Sequence, residues 1–209
     1  MKSLGLPFEH DYMAMKMSRW DDAPIVVCRT GYTGEHGYEL VAPVEVLGSL
    51  WDAVTASAMA CGGLPAGLGA RDTLRTEMGY PLHGQDISPT ISPVTAGLSW
   101  AIGWEKPVFA GRDALIAEKA AGPARRLRGI LANDRGIPRA HMNVHADSLD
   151  GTVIGEVVSG TFSPTLKQGI GLALIDSSVA IGDTIIVDVR GRASSFTVAK
   201  PPFVEPSTR

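Results

Sequence analysis

Two glutamates and two arginines carry the chemistry that is most legible in this chain. Glu35 and Glu39 sit in "RTGYTGEHGYELVAP" (Arg29–Pro43), a stretch that also holds Gly31, Gly34, Gly37, Tyr32 and Tyr38. A carboxylate that begins a strand and faces a cleft accepts two hydrogen bonds from a planar N–H/NH₂ edge. Arg71 and Arg75 lie in "PAGLGARDTLRTEMGYP" (Pro65–Pro81). A guanidinium offers planar donors to a carboxylate or carbonyl oxygen. One carboxylate and one guanidinium on adjacent elements suit a small, polar, acidic ligand with an aromatic ring, without identifying it. Each feature also has a plainer reading. The glycines serve any tight turn that needs positive φ. Glu39 fits a solvated strand position. Arg71 fits a surface ion pair of little worth, with Glu77 in reach, and Asp72 with Arg75 fits a structural pair.

The elements that must position these groups follow from periodicity. "APIVVCR" (Ala23–Arg29) reads as a buried strand and "YELV" (Tyr38–Val41) as its partner, joined by the glycine-rich loop. Val46–Ala60 repeats its apolar residues at three-to-four spacing, which predicts an amphipathic helix stopped by Gly62-Gly63. In the Pro65–Pro81 helix, Ala70, Leu74 and Met78 share one face, and Leu68, Arg71 and Arg75 another. "SPVTAGLSWAIGW" (Ser92–Trp104) reads as a strand and "RDALIAEKAA" (Arg112–Ala121) as a short helix ending at Gly122-Pro123. Beyond that point short β-type runs alternate with Gly, Pro, Asp, Asn and Ser, which predicts a small antiparallel barrel or sandwich. The boundary falls near residue 122.

Composition narrows the function classes. The chain has 209 residues and a net charge of −3, so a broad nucleic-acid-binding surface is not expected. No apolar run approaches the roughly 20 residues that span a bilayer, and the first residues do not read as a signal peptide. Cys28 and Cys61 read as buried free thiols, in keeping with a bacterial cytoplasm or an organelle matrix. No Cys/His group has zinc spacing, and His141 and His145, with Pro138 and Asn143 close by, do not read as a helical metal pair. No metal is expected.

Four motifs, in order, go further: "RTGYTGEHGYEL", "AGLGARDTLRTEMGYPLHGQDI", "SPVTAGLSWAI" and "GEVVSGTFSPTLKQGIGLALI". Together they resemble the glycine cleavage system T-protein family, the aminomethyltransferases, from about Arg29 to Phe203. The resemblance implies an α+β folate-binding region (1–122) followed by a small antiparallel β-barrel domain (123–209). It implies transfer of the one-carbon unit from aminomethyl-lipoyl H protein to tetrahydrofolate, with release of ammonia. The folate-binding positions it carries over are Glu39, Arg71 and Tyr32, with Arg139 of "GIPRAH" on the active-site side of the barrel domain. Roughly the first 150 residues of the family have no counterpart here, including its catalytic aspartate, and the tail lacks a tyrosine some members hold against folate. The resemblance thus implies a fragment, inactive alone, with no catalytic residue of its own. Alternatives are the folate-binding domain of an amine-oxidising dehydrogenase and a non-catalytic folate-binding module.

Overall fold

Strand β1 (Met15–Trp20) precedes β2 (Ala23–Cys28) and pairs antiparallel with it, from Met15 opposite Cys28 to Trp20 opposite Ala23. The apolar pattern does not announce β1, because Met15 and Met17 lie on its exposed face while Lys16 and Ser18 lie on its packed one. In this computed structural model, which describes residues 1–207, β2 also pairs with β3 (Glu39–Val41), giving a three-stranded sheet in the order β1-β2-β3. Directly opposed residues share a face. One face carries Trp20, Ile25, Val27 and Leu40, and packs with Leu6 and with Leu50 and Val54 of helix α1 (Val44–Ala60). Trp20 Nε1 donates to Ser49 Oγ on that helix at 2.9 Å. Helix α2 (Leu68–Glu77) follows.

The chain divides into two compact units, residues 1–74 together with the tail from Pro206, and residues 75–205; the division falls inside α2. In the second unit, the segment Ser92–Trp104 is not a strand. It forms successive turns and a short 3₁₀ helix (Ser99–Ala101). The reason is local. Pro93 cannot donate to a ladder, Ser92 Oγ accepts from the Thr95 amide at 3.0 Å, and Ala96 N–H bonds back to Ser92 O. Ser92 and Thr95 hydroxyls then donate to one oxygen of Glu118 on helix α3 (Arg112–Ala121), at 2.7 and 2.8 Å.

Six antiparallel strands close into a barrel: β4 (Arg125–Ala132), β5 (Asn143–His145), β6 (Val153–Ser163), β7 (Gln168–Asp176), β8 (Thr184–Asp188) and β9 (Ala193–Ala199), in the order β4-β7-β6-β5-β8-β9. Closure removes the free edges of a sheet. Ile130, Val144, Val157, Ile175, Ile185, Val187, Phe196 and Val198 fill the interior, each at most 1% exposed. Val158, Leu172 and Leu174 form a second cluster with Ile91, Leu127 and Phe203, so β7 is buried on both faces. That accounts for its continuous apolar run. The α+β arrangement with a small C-terminal antiparallel barrel matches the reading from sequence.

Close backbone approach explains one barrel glycine. A Cβ on Gly160 would stand 2.4 Å from Pro138 O, a backbone atom that cannot swing away. Gly160→Ala is therefore expected to cost about 1–3 kcal/mol and to lower the melting temperature by several degrees. Gly48, in the middle of α1, faces open space. Gly48→Ala is expected to gain up to about 1 kcal/mol. Calorimetric melts of the two variants should shift in opposite directions.

Candidate functional site

The glycine-rich loop is organised around Arg29, which is only 4% exposed. Its guanidinium carbon lies 5.5 Å from the centre of the Tyr38 ring and 5.8 Å from that of Tyr12, and Nη1 donates to Gly37 O at 3.2 Å. A buried cation needs such acceptors and ring faces in place of water. Tyr38 itself donates its hydroxyl to Phe8 O, and His36 stands edge-on to its ring at 5.6 Å. Gly34 takes φ 77°, the left-handed region that favours glycine. The tail closes the loop from outside: Ser207 N–H donates to Gly34 O at 2.8 Å and its hydroxyl to Glu35. A cleft of about 640 Å³ runs along Phe8–Tyr12 to Arg29 and His36.

Glu39 opens β3 opposite Cys28. One of its carboxylate oxygens accepts from Thr30 Oγ1, and the other has no partner among the described residues. The side chain is exposed, with half its acceptor capacity open. Arg71 is exposed too, and its guanidinium lies 4.4 Å from the centre of the Tyr32 ring. None of its side-chain N–H groups meets an acceptor among the described residues. The structure thus brings two of the sequence candidates, Tyr32 and Arg71, into one stacked pair. Glu39 stands at the foot of the same loop. Arg139, in the second unit, donates to Gly160 O at 2.9 Å and is exposed.

Other expectations are corrected. Leu68, Arg71 and Arg75 do not share an environment: Leu68 is 83% exposed and Arg75 only 2%. Arg75 Nη1 reaches Asp86 Oδ2 at 2.8 Å, so it is a core ion pair and not a ligand-facing cation. Glu77, considered above as a partner for Arg71, instead accepts from Ser163 Oγ on β6. The thiols are not buried. Cys61 lies just beyond the end of α1 and is exposed, and Cys28 is half-buried because it points away from the packed face of its sheet.

Sequence reasoning missed Asp86, which is fully buried. Its Oδ2 accepts from Arg75, from Leu82 N–H at 2.8 Å and from Ser159 Oγ at 2.8 Å, while Oδ1 meets no hydrogen-bond partner among the described residues. Its signal lay in "GQDI", a polar run without surface periodicity. It also missed Arg29 as the loop's anchor, although an arginine ending an apolar strand beside two aromatic-rich segments was the available clue. Among the described residues no group of three or more His, Cys, Asp and Glu gathers as if for a metal, and no helix is long and apolar enough to cross a membrane.

Residues 7–106 match the family described as GCVT N-terminal domain, and residues 125–205 the family described as Glycine cleavage T-protein C-terminal barrel domain. The chain is 59% identical over 209 residues to an aminomethyltransferase of Parafrankia sp. (strain EAN1pec), covering all of this chain and 57% of that protein. It is 55% identical over 211 residues to the aminomethyltransferase of Mycobacterium avium (strain 104), again covering 57% of it. The crystal structure of glycine cleavage system aminomethyltransferase T from Bartonella henselae superposes with a TM-score of 0.89 at 30% identity, over 99% of this chain and 56% of that one. The chain therefore spans a little over half the length of these relatives.

Asp86 generates a test of the core. Burial pushes its carboxyl above the ordinary value of 3.8, against the opposing pull of Leu82 N–H, Ser159 and Arg75. A raised carboxyl is bound more tightly to its proton in the folded state. Its stabilising contribution is complete below pH 3.8 and is lost as pH rises through the folded value. Asp86→Asn cannot ionise, so its stability carries no such dependence on pH. The stability advantage of the parent over Asp86→Asn should be largest in acid and shrink as the pH is raised above 3.8. Denaturant midpoints measured across that range check the sign.

Proposed function

The chain belongs to the glycine cleavage T-protein family, and from that premise we propose that it carries tetrahydrofolate-contacting residues of an aminomethyltransferase. In this reading the aminomethyl group arrives on the lipoyl arm of an H protein, and its carbon passes to tetrahydrofolate as ammonia leaves. The barrel from residue 123 onward accompanies a folate-binding region that ends near residue 122.

The observation that carries the reading is the Arg71 guanidinium stacked on Tyr32 with the arginine's N–H donors open among the described residues, on the same unit as a half-satisfied Glu39. The donor and acceptor sets fit a folate. Glu39 offers carboxylate oxygen to the N–H/NH₂ edge of the pterin, where unpaired donors would cost about 1–3 kcal/mol. Arg71 offers a planar fork to a carbonyl or carboxylate, and Tyr32 backs it with a ring face. Arg139, in the second unit, is the fourth position that the family resemblance assigns to folate. Their work is positioning: holding the folate nitrogen near the aminomethyl carbon in a fixed orientation, from which rate gains of this kind arise. Proton delivery to the departing amine requires an acid or base within hydrogen-bond reach, and that role falls to none of these four residues.

Two substitutions test the site in a chain extended to the family's full length. Glu39→Gln exchanges an acceptor pair for one acceptor and one clashing donor. Isothermal titration should show tetrahydrofolate affinity weakened by about 1–3 kcal/mol with the melting temperature unchanged. Arg71→Lys keeps the charge and loses the fork, and should weaken binding roughly tenfold. Unaltered titrations in both variants would remove these residues from the site.

A further inference from the structure

Strand β4 opens with "RRLR", and charge falls where its alternation calls for apolar residues. Residues two apart share a face of a strand. Ile130 and Ala132 belong to the barrel interior, so Arg126 and Arg128 stand on the interior side as well, near its end. Register agrees: Arg126 lies opposite Ile175 and Arg128 opposite Ala173, both members of the interior cluster. Both arginines are half-buried, with about 7 Å of strand between them. Neither guanidinium has a hydrogen-bond or ion-pair partner among the described residues, and the Nε of Arg128 is buried without one. The acids of the neighbouring β7–β8 connection are engaged in its own turns. Asp176 Oδ1 accepts from the Ser178 amide and hydroxyl at 2.8 and 2.7 Å, and Asp183 Oδ2 from Ala180 N–H at 2.8 Å. On the other side, β9 runs from Ala199, opposite Gly129, into Lys200, a further cation. Burial and the like charge of Arg126 both oppose the charge on Arg128 and hold its guanidinium below the usual arginine value. Two adjacent cations, half out of water and unpaired, are costly to keep.

We propose that Arg126 and Arg128 form an anion site at this end of the barrel, and that its ligand is a phosphate group. Each guanidinium presents a planar fork of donors. A carboxylate carries one charge and two oxygens in one plane, so it satisfies one fork and leaves the second cation uncompensated. A phosphate dianion carries charge for both, and its tetrahedral oxygens reach two forks at once, the Nε–H of Arg128 included. Ala173 and Ile175, opposite the two arginines, are fully buried, so the inner side of the site is apolar. Such a wall strengthens each charge-assisted bond by lowering the local dielectric. The phosphate is a free ion or the terminal group of a monoester, which present the same acceptor oxygens. The site lies wholly in the second unit and uses none of the residues assigned to folate, so it stands apart from that reading.

Titration calorimetry and thermal melts test it, on the chain extended to the family's full length and in chloride buffer of fixed ionic strength. Inorganic phosphate is expected to bind saturably, one per chain, and acetate at least tenfold more weakly. Arg126→Gln and Arg128→Gln each remove one fork, and each should weaken phosphate at least tenfold. Without phosphate both variants should melt at or above the parent, because a repulsion has gone. In saturating phosphate both should melt below it. That reversal separates a bound ion from the general stabilisation that phosphate salts give to folded proteins. A rise in melting temperature shared equally by parent and variants would overturn the proposal. So would equal binding of acetate and phosphate, or a parent more stable than both variants by the same margin with and without phosphate, which would make the arginines structural. Glycerol phosphate separates the two sources of the ligand. Binding tighter than that of inorganic phosphate assigns the site to a phosphate carried on an organic molecule, and weaker binding assigns it to the free ion.

Discussion

A guanidinium buried to within 4% of full enclosure sets the terms for the candidate site. Arg29 ends β2 and enters the interior of its own loop. There it must be met by ring faces and carbonyl oxygen, because water is not available to it. Tyr12, Tyr38 and Gly37 O meet it. Meeting it fixes where the loop goes next, since Gly37 and Tyr38 immediately precede Glu39. The carboxylate that opens β3 is thus held in place by a cation engaged with its own loop. The stack of Arg71 on Tyr32 shows the contrasting use of the same side chain, with the guanidinium outside the core and its donors unspent.

In the barrel unit the equivalent constraint is the Arg75–Asp86 pair, which is fixed to β6 through Ser159. Two residues further along α2, Glu77 bonds Ser163, four positions down the same strand and so on the same face. The end of the helix is therefore stitched to one face of β6 by charge and hydroxyl. Removing one partner of a buried pair strands the other's charge, which makes the seam specific in register more than strong.

Much of this architecture was legible beforehand because it rests on local signals. Short β-type runs gave β2, β4 and β6 to β9, while β5 (Asn143–His145) was not read, and α3 falls where its pattern and Gly122-Pro123 put it. What failed depended on tertiary context. β1 was missed because its pattern is inverted: Met15 and Met17 lie on the exposed face and Lys16 and Ser18 on the packed one, where only Trp20 is apolar. Ser92–Trp104 carried strand-like residues, but Pro93 and the Ser92 and Thr95 hydroxyls committed it to turns tied to Glu118. Arg75 looked like Arg71 in sequence, and only the fold separates a core cation from a surface one. For Asp86 the polar run "GQDI" was the one local sign, and its role depends on a partner as far away in sequence as Ser159.

The Ser207 hydrogen bonds to Gly34 and Glu35 have a consequence for the order in which the protein takes shape during synthesis. The glycine loop leaves the ribosome early, yet two of its bonds belong to a residue made long afterwards. At elongation rates of about 5–20 residues per second, the interval between Glu35 and Ser207 is roughly 10–30 s. For that time the barrel strands are being threaded out while the loop waits with Gly34 O and the Glu35 carboxylate turned to water. The first unit is therefore completed last, after the second has had its whole sequence available to close.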